Sequence, residues 1–228
     1  MGRFGQAIVS RPVRGGLLGL MAMLTVVACA AGPGRASDPH APALSPEAAG
    51  VSQLVTAAGL ADWGRAHDDP GALIMAARIV AEVPLRNQGN QPPLLTFEGL
   101  LNEAEAMAAG QPAYLAAIEQ VRGQTVRGVV SSPFGRGPIA TVKDVRARET
   151  FGFEVDARGG EILRIAAIGD GDTNIDLIIR DADGRLLCQD GFGDHYPVCT
   201  LMPRVAGKVR VSVVNRGEIW TKVQILSN

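Results

Sequence analysis

The chain has 228 residues, with 22 basic and 23 acidic side chains and a net charge of −1. That balance excludes the basic surface nucleic-acid binding needs. Aromatics are only 4% of the residues, too few for a surface built from stacked rings, and what remains is an ordinary globular composition with room for one large or two small domains.

Arg3, Arg11 and Arg14 precede the first acid, Asp38, and lead into the apolar run LLGLMAMLTVVACAA at residues 17–31. At about 15 residues the run falls short of the roughly 20 a membrane span needs and suits the core of a secretory signal peptide. Two cleavage readings stay open. VVAC, residues 26–29, resembles a bacterial lipobox, in which an aliphatic and a small residue precede a cysteine that becomes acylated, here Cys29. ACA, residues 28–30, equally fits the small-x-small rule of an ordinary signal peptidase. The expectation is a signal peptide over 1–29 and an exported protein. It is either periplasmic or a membrane-anchored lipoprotein, with membrane contact only through Cys29. Residues 30–44 carry Pro, Gly and Ala with almost no large apolar group and read as a flexible tether.

Residues 45–122 have the texture of helices. Ser45, Asp69 and Thr96 are candidate N-caps, and Pro46 and Pro70 stand at first helical positions. Apolar residues recur at helical spacing: Val51, Leu54, Val55 and Ala58, then Leu73, Ala76, Ala77 and Val80, then Leu100, Leu101, Ala104, Met107 and Ala108, then Leu115, Ile118 and Val121. These predict four short helices in two antiparallel pairs. The polar connection at 84–95 is expected as an exposed loop. Trp63, Ala72 and Pro84 faintly resemble the end of a tetratricopeptide repeat, but Ala76 stands where a further aromatic belongs. His67, beside Asp68 and Asp69, is expected to make a helix-end contact. Residues 123–138 read as a linker with a short strand.

From Ile139 the pattern has period two. TFGFEVD, EILRIAAIG, IDLIIRD, RLLCQD, VCTLM, KVRVSVVN and IWTKVQIL are separated by turn signals. Evenly spaced short strands of this kind predict an antiparallel β-sandwich over 139–228. The expected fold class is thus α + β in separate regions, a small helical bundle followed by the sandwich.

The chain has three cysteines, Cys29, Cys188 and Cys199. With Cys29 acylated or removed, the other two are expected to pair in an oxidising compartment, stapling CQDGFGDHYPVC as a hairpin. A zinc site wants more soft ligands than His195 adds, and a redox pair is more typically spaced C-x-x-C.

The stretch 149–190, followed by 203–217, resembles the bacterial pre-peptidase C-terminal domain family. The resemblance rests on Phe151 and Phe153, Gly159 and Gly160, Asp172, Asp176 and Leu177, Asp181 and Gly184, Pro203 and Gly207, and Asn215 and Gly217. It implies a jelly-roll-like sandwich that accompanies secreted enzymes or stands in envelope proteins and is not itself catalytic. No peptidase domain precedes it here, and the helical part is outside the resemblance.

Asp170, Asp172, Asn174 and Asp176 alternate in DGDTNID as in a calcium loop. However, Ile175 stands where such a loop wants glycine. Calcium is the one cofactor this sequence brings into view. Phe192, His195 and Tyr196 are the candidate binding residues of the cysteine-bounded loop. No G-x-S-x-G, H-E-x-x-H or phosphate loop is present, so no enzymatic activity is expected. The sequence points to an interaction or accessory module of the cell envelope whose helices dock a partner protein. The alternative is a module binding polysaccharide or another cell-wall or extracellular polymer, assisted by calcium.

Overall fold

A computed structural model describes residues 43–125 and 132–228. The signal-peptide expectation, Cys29 and His40 lie outside the described residues, as does most of the tether. Four helices come first, α1 (Pro46–Ala66), α2 (Pro70–Glu82), α3 (Phe97–Met107) and α4 (Pro112–Thr125), with a short strand β1 (Arg86–Gln88) between α2 and α3. Eight strands follow: β2 (Ile139–Val145), β3 (Thr150–Ala157), β4 (Leu163–Gly169), β5 (Ile175–Arg180), β6 (Leu186–Asp190), β7 (Val198–Leu201), β8 (Gly207–Asn215) and β9 (Thr221–Ser227).

The helices start where their caps dictate. The Ser45 hydroxyl accepts from the Ala48 N–H at 3.1 Å, the Asp69 carboxylate from Gly71 N–H at 2.8 Å, and the Thr96 hydroxyl from Gly99 N–H at 3.1 Å. Each satisfies an N–H that a helix start otherwise leaves without a partner. α2 packs against both α1 and α3. Its approach to α1 is close because Gly64 has no Cβ; one there would lie 2.9 Å from the Ala72 Cβ.

The strands form the expected sandwich of two sheets, ordered β1-β2-β9-β4-β7 and β3-β8-β5-β6. All pairings are antiparallel except that of β1 with β2. Val145, Ile165, Leu177, Ile179, Val211, Val213, Val223 and Ile225 fill the space between the sheets.

The helical region and the sandwich are separate in sequence but share a core. Val51, Leu54, Leu73 and Leu101 of the helices join Ala140, Ala166, Ile168 and Leu226 of the five-stranded sheet in one buried cluster. All described residues belong to one compact unit, 40–228. The cause is alternation on a doubly covered sheet. Along β4, Ile165 and Ala167 face the sandwich interior while Ala166 and Ile168 face the helices.

Three further expectations are refined or corrected. The connection at 84–95 is largely exposed, as expected, but it is anchored at two places. It supplies β1, and the Leu94 and Leu95 N–H groups donate to the Gln224 side-chain carbonyl at 2.7 and 3.1 Å. Gly123 belongs to α4 rather than to a linker strand, while 126–131 lie outside the described residues. Cys188 and Cys199 do pair, with Cα atoms 5.9 Å apart, but not as a hairpin. β6 and β7 belong to different sheets, so the bridge fastens one sheet to the other.

Gln224 is fully buried and is the acceptor for two backbone donors of the connector. Replacing it by leucine keeps most of the volume and strands both donors, at about 1–3 kcal/mol each. Leucine also removes the buried Gln224 Nε2, which has no partner among the described residues. Gln224→Leu is therefore expected to lower unfolding stability by about 1–3 kcal/mol net in denaturant titrations and to speed hydrogen exchange at the Leu94 and Leu95 amides. Unchanged exchange there means that Gln224 does not hold the connector.

Candidate functional site

One end of the sandwich gathers the turns 146–149, 170–174, 191–197 and 216–220. Asn215, buried at the end of β8, ties three of them together. Its side-chain amide donates to the carbonyls of Val145, Arg146 and Ile219 at 3.2, 3.1 and 2.7 Å. Its side-chain oxygen accepts from the Thr173 hydroxyl at 3.0 Å and the Gly217 N–H at 2.8 Å. A short amide with two donors and an acceptor is suited to such a hub.

The acidic turn is engaged within the fold. Asp170 accepts from the Thr221 hydroxyl at 2.6 Å and the Lys222 N–H at 2.9 Å, locking the turn to β9. Asp176 is buried and accepts from Nε and Nη2 of Arg216, both at 2.6 Å. Asp172 is exposed, and Asn174 uses its backbone carbonyl to accept the Arg216 N–H. The structure thus engages Asp170 and Asp176 in separate contacts, while the buried Asn174 Oδ1 has no hydrogen-bond partner among the described residues. Among the described residues no group of three or more His, Cys, Asp or Glu is placed to hold a metal ion. Of the four, Asp176 alone lies in strand β5, where Arg216 takes its carboxylate, while Asp170, Asp172 and Asn174 belong to the turn before it.

The three candidate binding residues separate in the same way. Phe192, at the tip of the 191–197 turn, is 93% exposed. His195 and Tyr196 instead turn towards α1. His195 Nε2 lies 3.6 Å from an Asp62 carboxylate oxygen, and its ring meets Tyr196 edge to face. Tyr196 packs on the helix–sheet core beside Gly59. Burial pushes the Tyr196 hydroxyl above its ordinary value, and the charges of Asp194 and Asp62 push it the same way. Behind His195 lies a cleft of about 310 Å³ with an apolar floor of Ala58, Leu94, Leu95 and Ile168. The paired Arg65 and Glu103 stand at its mouth, their closest atoms 2.7 Å apart.

Trp220, which the sequence offers with Phe192 and Tyr196 as a stacking aromatic or else as core, stands on the same end, with Ile219, which the sequence does not single out. Trp220 is 59% exposed and Ile219 is 51% exposed. Beside them Arg148 and Glu218 pair at 2.5 Å on the surface. Alternation in IWTKVQIL leaves Trp220 open to a core assignment. The neighbouring Arg-Gly-Glu turn is the available signal that the strand starts only at Thr221. His67 makes the expected helix-end contact, its Nδ1 2.8 Å from the Trp63 carbonyl and its ring stacked on Trp63.

No family model matches the chain, and no curated protein matches it. Among solved structures it is similar to the pre-peptidase C-terminal domain of a collagenase from Bacillus anthracis. The identity is 6% and the TM-score 0.34, over 39% of this chain and 87% of that one. It is similar also to a periplasmic inhibitor of g-type lysozyme from Aeromonas hydrophila, at 10% identity and a TM-score of 0.31, over 40% and 86% of the two chains. A carbohydrate-binding module of a Cellvibrio mixtus lichenase, solved with cellotriose, matches at 12% identity and a TM-score of 0.27, over 37% and 72%. The sandwich stands on its own strand order and core, not on these likenesses.

Two outcomes check this site. Asn215→Asp replaces the donor of three carbonyl contacts by an acceptor and is expected to cost at least about 3 kcal/mol in denaturant unfolding; a cost below about 1 kcal/mol removes the hub. With Asp170 and Asp176 engaged internally, millimolar calcium is expected to leave the melting temperature unchanged. A rise that chelator reverses shows instead that the turn takes the ion.

Proposed function

We propose that this chain is an exported, non-catalytic accessory module of the cell envelope that recognises a protein partner through the loop end of its sandwich. The observation that carries the reading is the combination of fixed backbone and exposed side chains at that end. Asn215 and Asp170 hold the turns from which Ile219 and Trp220 project beside Arg148 and Glu218. Phe192 projects from the 191–197 turn, whose Asp194 and His195 carbonyls accept the Ile175 and Gly169 N–H groups. Large apolar and arginine side chains on a pre-ordered frame are the composition of protein-binding hot spots.

The helices are less suited to the docking role that their amphipathic sequence implies. Their apolar stripes are taken up by one another and by the five-stranded sheet. Export is supported by the arginines ahead of the apolar run at 17–31 and by the Cys188–Cys199 bridge, which belongs to an oxidising compartment. The non-catalytic reading is supported by how the reactive groups are engaged. Among the described residues both cysteines, Cys188 and Cys199, are oxidised, His67 contacts a backbone carbonyl, and His195 faces Asp62. A second reading, recognition of a cell-wall or extracellular polymer, is favoured by one observation, the open face of Trp220, on which a sugar ring can stack.

Photo-crosslinking in the cell envelope separates these readings. One probe replaces Trp220, and the other replaces Val205, which is 77% exposed at the opposite end of the sandwich. A discrete protein adduct from position 220 and none from 205 is the expected result. Equal adducts from both positions, or adducts from 205 alone, overturn the assignment. Sedimentation with isolated cell wall that Trp220→Ala abolishes assigns the polymer instead.

A further inference from the structure

The sandwich has two long sides, and only one is closed. At the β6–β7 side the disulfide bridges the sheets. At the other side β2 and β3 leave the turn 146–149 in different sheets, and no described strand spans them. Between them runs a groove of about 520 Å³, within the size range of small-molecule sites, about 300–1,000 Å³. One wall is apolar, formed by Phe151, Phe153 and Val155 of β3 with Ile225 of β9, and Gln88, Thr141, Ser227 and Asn228 add polar groups to the lining. The β3 side chains pack on the sandwich core yet stay only half-buried. Phe151 and Phe153 stack, with ring centroids 5.7 Å apart.

One cation stands in this groove. Alternation along β2 puts Ala140 on the helix side and Lys143 on the sandwich side. The Lys143 ammonium lies over the Phe151 ring, 5.5 Å from its centroid. Among the described residues no carboxylate pairs with it. A charge against an apolar wall is stabilised by an anion brought to it. The acids at the rim, Glu154 and Asp156, sit on β3, and Glu154 pairs with Lys208 at 3.0 Å. They oppose a polyanionic peptide lying along the strand. A single anionic head meets Lys143 alone.

We infer that the groove between β2 and β3 binds a single-chain amphiphile with a carboxylate head, of the fatty-acid type. The chain lies along Phe151, Phe153 and Ile225, and the head meets the Lys143 ammonium. This site is independent of the loop end and of the function proposed for it.

Titration calorimetry of the full mature chain with decanoate and dodecanoate, below their micelle concentrations, tests the assignment. Decanol serves as the neutral comparator. The expected result is saturable one-to-one binding that tightens with chain length, by up to about fourfold per added methylene. Lys143→Met keeps the stem over Phe151 and removes the charge. It is expected to weaken decanoate about tenfold and to leave decanol unchanged. Thr141→Trp, which fills the groove from β2, is expected to abolish binding of both. Where that variant fails to fold, the comparison of decanoate with decanol on Lys143→Met decides alone. Absent saturable binding of decanoate to the unaltered chain, or equal decanoate affinity in Lys143→Met, overturns the proposal. So does saturable binding of an extended acidic peptide in place of decanoate.

Discussion

A sheet with two apolar faces must be covered twice. β4 and β9 carry such faces, and the rest of the molecule is arranged around them. The four-stranded sheet covers one side, through Leu177, Ile179, Val211 and Val213, and the helices cover the other, through Val51 and Leu54. Each fully buried aliphatic side chain contributes about 1.5–3 kcal/mol, so neither cover is dispensable. Gln224, a polar intrusion on the helix side, is held through its carbonyl, which accepts the Leu94 and Leu95 N–H groups, while its buried Nε2 has no partner among the described residues. Helices, connector and sandwich are thus one folding unit despite their different textures.

Much of that fold is legible in the residues. Capping side chains followed by proline mark the starts of α1 and α2, and period-two stretches mark β3 to β9 within a few residues. The union of the two regions is harder to read. Its signal lies in RIAAIG and VQIL, which break the alternation between polar and apolar with nearly continuous apolar runs. Such runs mean burial on both faces. A sandwich standing alone would show polar residues at Ala166, Ile168 and Leu226. The strand β1 has no comparable signal. RNQ is polar and short, and it pairs only because the chain on either side of it is held by α2 and by Gln224.

The loop end is legible in composition but not in role. Twelve residues with two cysteines, a histidine and a tyrosine invite a single site, yet the side chains diverge. Phe192 goes to solvent, Tyr196 to the helix–sheet core, and the cysteines to the space between the sheets. The divergence follows from β6 and β7 belonging to different sheets, a long-range fact that spacing does not encode. The acidic turn differs for a similar reason. Alternate aspartates in a calcium loop converge on an ion, whereas here Asp170 is taken by Thr221 and Lys222 and Asp176 by Arg216. Asn215 joins turns up to 70 residues away in sequence, and no local pattern announces that reach.

The order of strands in the five-stranded sheet has a consequence for how the chain is made. β9 is the last of the nine strands in sequence, yet it lies between β2 and β4 at the centre of that sheet. Until it arrives, β2 and β4 have no shared neighbour, Leu94 and Leu95 have no acceptor, and the helix cover has only part of its seat. A chain synthesised from its amino end therefore stays without the central strand of this sheet until β9 is made. Such a topology makes the packing of helices on sheet wait for a contact between distant parts of the sequence, and long-range pairing of this kind is slow to form.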